Sequence, residues 1–357
     1  MLEAPERALR RGWTTGACAM AAAKAAATAL LTGAFPDPVE IELPGGQHPA
    51  FPLALRATGA GWARAGVTKD AGDDPDVTHG ALVISEVRTA SAGSGILFRA
   101  GDGVGTVTRP GLALAVGEPA INPAPRAMIR AALEGLGAGD LEVTISIPGG
   151  AALAAKTLNA RLGILGGLSI LGTTGVVIPY SCSSWIHSIH RGVDVAVAAG
   201  VTHIAGATGS RSEQAVQQLH ALPEVALIDM GDFVGALLKY LRAHPVPRLT
   251  LAGGLGKLVK LAQGHLDLHS SRSGLDGTAL ARLLSELGAP EPAVAAARSA
   301  ESMGEVVAIL TPEVRLRLSR RVAEGCREAA LATLAGGTVV DVAVFDREGL
   351  LLARTDI

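Results

Sequence analysis

The spacing of apolar positions along this chain changes twice, and each change marks a different kind of structure. Residues 16–31 are almost continuously small and apolar, with Thr14 and Thr15 before them and Gly33 after. Threonine caps helix starts, alanine is the best helix former and glycine is a common stop, so this stretch predicts a buried helix. Short β-rich runs follow at 39–43, 51–57, 61–68, 81–87 and 95–99, parted by turns such as Pro44-Gly45-Gly46. Pro123 and Pro125 suit the first turn of a helix through residues 128–133, and 141–147 reads as a strand closed by Pro148-Gly149-Gly150. This half predicts α+β structure.

From Gly163 the pattern differs. Residues 163–175 are apolar but interrupted by glycine, which predicts a tightly packed turn near a ligand. An α/β alternation follows: helix 183–199, strand 201–205, then Gly206 to Glu213 opening a helix to Leu219. Next come strand 225–228 ending at Asp229, helix 233–242, strand 248–251, and Gly253-Gly254-Leu255-Gly256-Lys257 opening another helix. Strand–glycine–helix followed by strand–Asp is the wiring of a Rossmann-like nucleotide site, and Asp229 lies 20 residues after Gly209. The glycine spacing is not GxGxxG, and an ordinary strand-to-helix turn reads the same way. The tail from Thr278 reads as amphipathic helix, notably 312–334, with a hairpin-like pair at 339–345 and 350–354. It is assigned to packing or a dimer surface, without chemistry. The expectation is a mixed α/β (α+β) chain: residues 1–160 an α+β substrate domain, 161–357 a Rossmann-like three-layer α/β domain with a helical extension.

Composition narrows the function classes. Aromatics are only 3% of 357 residues, so the core must be built from Ala, Val, Leu and Ile. A net charge of −2 with no basic block argues against nucleic acid as a partner. Cys18, Cys182 and Cys326 match no metal spacing and predict reduced thiols. The N-terminus has no signal-peptide pattern, and apolar runs are broken short of a span of about 20 residues, so no membrane is expected and a cytoplasmic protein is.

Candidate chemistry concentrates in the segment 69–80, where Lys69, Asp70, Asp73, Asp74, Asp76, Thr78 and His79 share a turn-rich loop. Its alternative reading is a solvated surface turn. Glycine-rich segments at 101–111 and 117–126 accompany it. Thr14, Thr15 and Gly16 open a helix whose first N–H groups form a ready anion site. His187 and His190, and His265 and His269, have helix-face spacing but lack a third ligand, so no protein-held metal is expected. His269 follows the helix opened at Lys257 and is an acid/base candidate. GxSxG and Walker A motifs are absent, which disfavours a serine nucleophile and phosphoryl transfer. The residues alone do not choose between methyl and hydride transfer.

Taken in order, the segments 12–19, 69–80, 101–111, 117–126, 156–163, 166–175 and 228–233 resemble the CbiD family, cobalt-precorrin-5B (C-1)-methyltransferases of cobalamin biosynthesis. The likeness runs from about residue 10 to 275 and loosens beyond Asp276; Gly253-Gly254-Leu255-Gly256-Lys257 stands where many members carry a bulkier residue before Gly-Lys. The resemblance implies methyl transfer from S-adenosylmethionine to C-1 of a ring-contracted, polyanionic tetrapyrrole, with cobalt only as part of the substrate. The carbon nucleophile would be the substrate's own, so the enzyme would supply positioning and charge management. Thr14, Thr15, Gly16, Arg109, Asn122, Arg126, Thr173 and Thr174 are the residues expected to hold the macrocycle's carboxylates. His79 and His269 are the expected proton carriers, with Asp70 and Asp73 beside the sulfonium or bracing the loop. By wiring, Gly206, Thr208, Gly209, Ser210, Asp229 and Gly231 are expected to hold the cofactor. A nicotinamide-dependent precorrin reductase and a non-enzymatic tetrapyrrole carrier are the rivals. A homo-oligomer is allowed by the tail.

Overall fold

Helix α1 (Thr15–Thr32) is the element around which the first half of the chain is organised. Thr14 Oγ1 accepts from the Ala17 N–H at its start, and Gly33, with φ of 79°, closes its end by donating to the Ala29 carbonyl. Its apolar positions face every direction, and it is buried except along Lys24, Thr28 and its last turn. The length and apolarity of α1 suit a membrane span, contrary to the expectation that every apolar run is too short, but 72% of it is buried within the fold. Its alanines let strands approach closely. Ala63, Ala65 and Ser85 meet the helix, and Ser85 Oγ donates to the Ala19 carbonyl at 2.9 Å.

The computed structural model describes residues 9–270 and 272–356. In the first unit the strands beneath α1 are β1 (Leu55–Gly59), β2 (Trp62–Thr68), β3 (Leu82–Thr89), β4 (Ile96–Ala100) and β5 (Leu141–Ser146). They form a sheet in the order β1-β2-β3-β5-β4, antiparallel except for the parallel β5–β4 pair. Alternation puts Leu141, Val143 and Ile145 of β5 into the core. The other face carries cross-strand ion pairs: Arg64 with Glu86 directly opposite, and Arg99 with Glu142. Helix α2 (Pro123–Glu134) packs beside α1 on the inner face.

The chain divides after Cys182. That break lies beyond the one expected at 160, because the glycine-rich segment pairs backward. Residues 164–165 form a ladder with 106–107, and 176–177 with 12–13. Apolar, glycine-broken sequence does not reveal its partners, and here the partners are in the first unit.

The second unit begins with α3 (Ser183–Ala198), followed by β6 (His203–Ala207), α4 (Ser210–His220), β7 (Leu227–Asp229), α5 (Val234–Ala243), β8 (Arg248–Gly254) and α6 (Leu255–Ala262). Helices α7 (Gly277–Glu286), α8 (Glu291–Ser299), α9 (Met303–Ile309) and α10 (Pro312–Leu334) precede β9 (Val339–Phe345) and β10 (Leu351–Arg354). The sheet runs β7-β6-β8-β9-β10, parallel from β7 to β9, with β10 antiparallel at the edge. One face sends Ile204, Leu249, Leu251, Val340 and Val342 into a core shared with α3, α5, α6 and α10. The other presents Ala205, Ala207, Ala252 and Ala343 to α4 and to Leu222 and Ala226 after it. The tail packs into the core of this unit, and β9 is an interior strand of the sheet.

Candidate functional site

In the 69–80 loop each of the four carboxylates has an internal partner. Asp70 forms a fork with the Arg10 guanidinium and also accepts from the Gly72 N–H at 2.9 Å. Asp73 accepts from the Arg10 backbone N–H at 2.6 Å, and Asp74 from that of Tyr180 at 2.8 Å. Asp76 takes the Lys69 ammonium at 2.5 Å on one oxygen and both the N–H and hydroxyl of Thr78 on the other. Of the roles expected for Asp70 and Asp73, bracing is the one this geometry serves. The His79 ring is half-exposed, and its Nδ1 accepts from the Ala71 N–H at 3.1 Å, which leaves Nε2 as the protonated nitrogen.

The electrostatics of the loop follow from these partners. Arg10 hydrogen bonding, against a smaller opposing effect of burial, lowers the Asp70 pKa to about 2. Burial pushes the Asp76 carboxyl up, but Lys69 and Thr78 outweigh it and the net shift is down. A carboxylate held below its unfolded value adds stability above that value, about pH 4, which disappears as pH falls through the folded one. Loss of stability on acidification between about pH 4 and pH 2 is therefore expected. In Asp70→Asn the urea midpoint should change less across that interval; an unchanged pH profile would contradict the assignment.

The start of α1 is closed by the chain itself. Thr14 and Thr15 are buried, Thr15 Oγ1 exchanges hydrogen bonds with the backbone of Leu171, and the Gly16 N–H donates to the Leu171 carbonyl at 3.0 Å. These three residues do not offer the anion site expected of them, because segment 171–175 occupies it. Arg126 is likewise spent: it reaches the carbonyls of Ile121 and Pro119, pairs with Glu118 and lies 5.5 Å from the Phe98 ring centroid. Asn122 is the N-cap of α2 but makes no side-chain cap bond. Arg109 is exposed, reaching the Arg161 carbonyl at 3.5 Å. Thr174 bonds locally to Val176, whereas exposed Thr173 lines a cavity of about 680 Å³ between α1 and α2, with Met20, Met128 and Leu43 as floor and Lys24 and Glu42 beside it.

A second cavity, of about 780 Å³, lies in the second unit at the carboxyl ends of β6, β8 and β9. Thr208, Gly209 and Ser210 line it, as do Gly254, Gly256 and Lys257. The helices α4 and α6 start here from Gly209 and Gly254, so neither has a capping side chain. Lys257 donates to the Thr208 carbonyl at 2.7 Å and pairs with Asp232 at 3.1 Å, tying the ends of two strands together. The rest of the wall includes Ser302, Gly304 and Arg315 and the charged turn Asp346-Arg347-Glu348. Sequence reading gave this tail no chemistry. Its one local signal is a basic residue, Arg315, in the opening of a capped helix.

Three predicted cofactor residues lie outside this lining. Gly206 is a packing residue, since a Cβ there would overlap the Leu237 side chain. Asp229 ends β7, where its carbonyl accepts from the Trp185 indole at 3.0 Å, and the same indole packs over Gly231. His269 sits in a turn of the second unit that accepts from Arg272 and Ser273, so it shares no site within one unit with His79. His190 stacks on Tyr240 at 4.1 Å. Among the described residues no three His, Cys, Asp or Glu side chains cluster to hold a metal ion. Cys18 is buried, and desolvation raises its pKa to about 12, so it is a packing group.

These features define a mixed α/β protein of two units, each with a ligand-sized cavity, the first largely apolar and the second lined by glycines, hydroxyl groups and charged side chains of both signs. Residues 2–179 match the CbiD family's profile and residues 267–356 that of the CbiD C-terminal domain, so the likeness extends through the tail. The chain belongs to the CbiD family. The cobalt-precorrin-5B C(1)-methyltransferase of Paramagnetospirillum magneticum is 58% identical over 98% of this chain and 99% of its own length. The protein of the same name from Rhodospirillum rubrum is 59% identical over 99% of both chains. A crystal structure of the cobalamin biosynthesis protein CbiD from Archaeoglobus fulgidus has 29% sequence identity, covering 74% of this chain and 83% of that one, with a TM-score of 0.39.

Proposed function

We propose that this protein methylates C-1 of cobalt-precorrin-5B with S-adenosylmethionine as methyl donor, giving cobalt-precorrin-6A. The observation that carries the reading is identity of 58–59% along essentially the whole length of relatives bearing that activity in their names. Neither the reductase nor the carrier reading has support among them.

For the cofactor, the reading that fits best is a Rossmann-like use of the second unit, at the cavity on the carboxyl edge of its parallel sheet. Open α/β sheets bind ligands there, where successive helices leave from opposite faces. A volume of about 780 Å³ suits a ligand of that size. The backbone at Gly209 and Gly256 is open to an approaching ligand, because a Cβ at either would meet nothing within 4 Å. Thr208, Ser210 and the uncapped N–H groups of α4 and α6 would supply polar contacts. When bound, the sulfonium supplies an electrophilic methyl group; the protein's part is to orient it and exclude water. For the macrocycle, the first unit's cavity offers an apolar floor, with Lys24 and Thr173 for its carboxylates. His79 is the proposed proton carrier of the loop, through its Nε2.

The activity is tested by incubating enzyme and substrate with labelled S-adenosylmethionine or with reduced nicotinamide. A label-bearing, methylated product formed only with the former is expected; reduction without methyl incorporation would exclude the proposal. The site is tested by calorimetry with S-adenosylhomocysteine. Gly256→Phe adds a ring at the cavity from a Cβ position with no neighbour within 4 Å and is expected to weaken binding at least about ten-fold. Asp229→Asn, outside the lining, is expected to change it by less than about two-fold. His79→Gln should slow single-turnover methyl transfer about a hundred-fold; unchanged turnover removes His79 from the mechanism.

A further inference from the structure

The tail brings an unused cation to the second unit's cavity. Arg315 lines it, and its Nε is buried with no hydrogen-bond partner. A buried guanidinium N–H left unpaired is costly. The position on α10 makes the cost larger: Thr311 caps the helix and Arg315 lies in its opening turns, where the helix dipole favours anions over cations. Neither helix formation nor an internal partner of Nε accounts for this residue. Of the other cations lining the cavity, Lys257 is held by Thr208 and Asp232 and Arg211 by the Arg347 carbonyl at 2.6 Å, while Arg347 lies on the same turn as the lining carboxylates Asp346 and Glu348. The uncapped starts of α4 and α6 add further unsatisfied donors to the same cavity. The shared preference of these groups is for an anion, and a guanidinium holds a carboxylate through a two-bond fork.

We propose that Arg315 is the partner of the α-carboxylate on the methionyl part of S-adenosylmethionine, so that the tail completes the cofactor site. This rests on the cofactor location proposed above. The test is calorimetry with two probes: S-adenosylhomocysteine, which carries the carboxylate on its aminobutyrate chain, and 5′-methylthioadenosine, which has a methyl group in place of that chain. Arg315→Ala is expected to weaken S-adenosylhomocysteine roughly ten- to a hundred-fold while leaving 5′-methylthioadenosine unchanged. Arg315→Lys should recover part of the loss, since it keeps the charge but not the fork. Equal losses for both probes would make Arg315 a structural residue and overturn the proposal. Unchanged S-adenosylhomocysteine binding with a raised KM for the tetrapyrrole would assign the guanidinium to a substrate carboxylate and overturn it too. If Arg315→Ala has no effect while Gly256→Phe still abolishes binding, the inference alone fails. If both leave binding intact, the cofactor location fails with it.

Discussion

Gly103→Ala is expected to destabilise the first unit by on the order of 4 kcal/mol or more, whereas Gly139→Ala should stay within about 0.5 kcal/mol. Gly103 has φ of 72°, and a Cβ there would overlap the Ile147 carbonyl oxygen. Its own carbonyl accepts from the Leu168 N–H at 2.9 Å, so the backbone cannot shift away without breaking that bond. The strained conformation and the clash fall on backbone atoms, which have no rotamers with which to relax. Gly139 is exposed, has no neighbour within 4 Å of an added Cβ and takes no left-handed conformation. Urea unfolding of the two variants measures the contrast. Equal midpoints would mean that the chain crossing at Gly103 is looser than described.

Asp76→Asn is the second large effect, expected at about 3–5 kcal/mol. Lys69 is 1% exposed and its ammonium has Asp76 as its ion-pair partner, at 2.5 Å. Replacing the carboxylate by an amide puts a donor against either that ammonium or the Thr78 N–H and leaves a buried charge uncompensated. Lys69→Met should cost less, because Asp76 is 25% exposed and keeps its two bonds from Thr78. The double variant Lys69→Met/Asp76→Asn should then be more stable than Asp76→Asn alone. Thermal and denaturant unfolding of the wild type and the three variants form a double-mutant cycle, and additive losses would show that the pair contributes nothing as a pair.

The local elements were legible in the sequence because their causes are local. Helix α1 starts at its threonine cap and stops at Gly33 as predicted, and α10 and β9 occupy the predicted residues. The strands at 61–68, 81–87 and 95–99 shift by a residue or two at their ends. Long-range pairings left no such trace. Nothing in Thr14-Thr15-Gly16 announces that Leu171 will fill the helix start, and a glycine at 103 reads equally as a phosphate loop or as a crossing of two chains. The loop at 69–80 shows the same limit: its charges were plain, but their neutralisation depends on Arg10 and on a lysine folded inward. In the second unit the wiring of strand and helix places the turn Thr208-Gly209-Ser210 at a cavity, whereas Arg315, which lines the same cavity from the tail, carries no periodic signal.

The position of β9 has a consequence for biogenesis. It pairs along its whole length with β8, yet all of α6 to α10 intervenes between the two strands in the chain. During synthesis, β8 waits with one edge unpaired while those helices emerge, and only the arrival of residues 339–345 shields it. The second unit is thus committed to late closure of its sheet, an interval in which an apolar strand edge is open to chaperones or to aggregation.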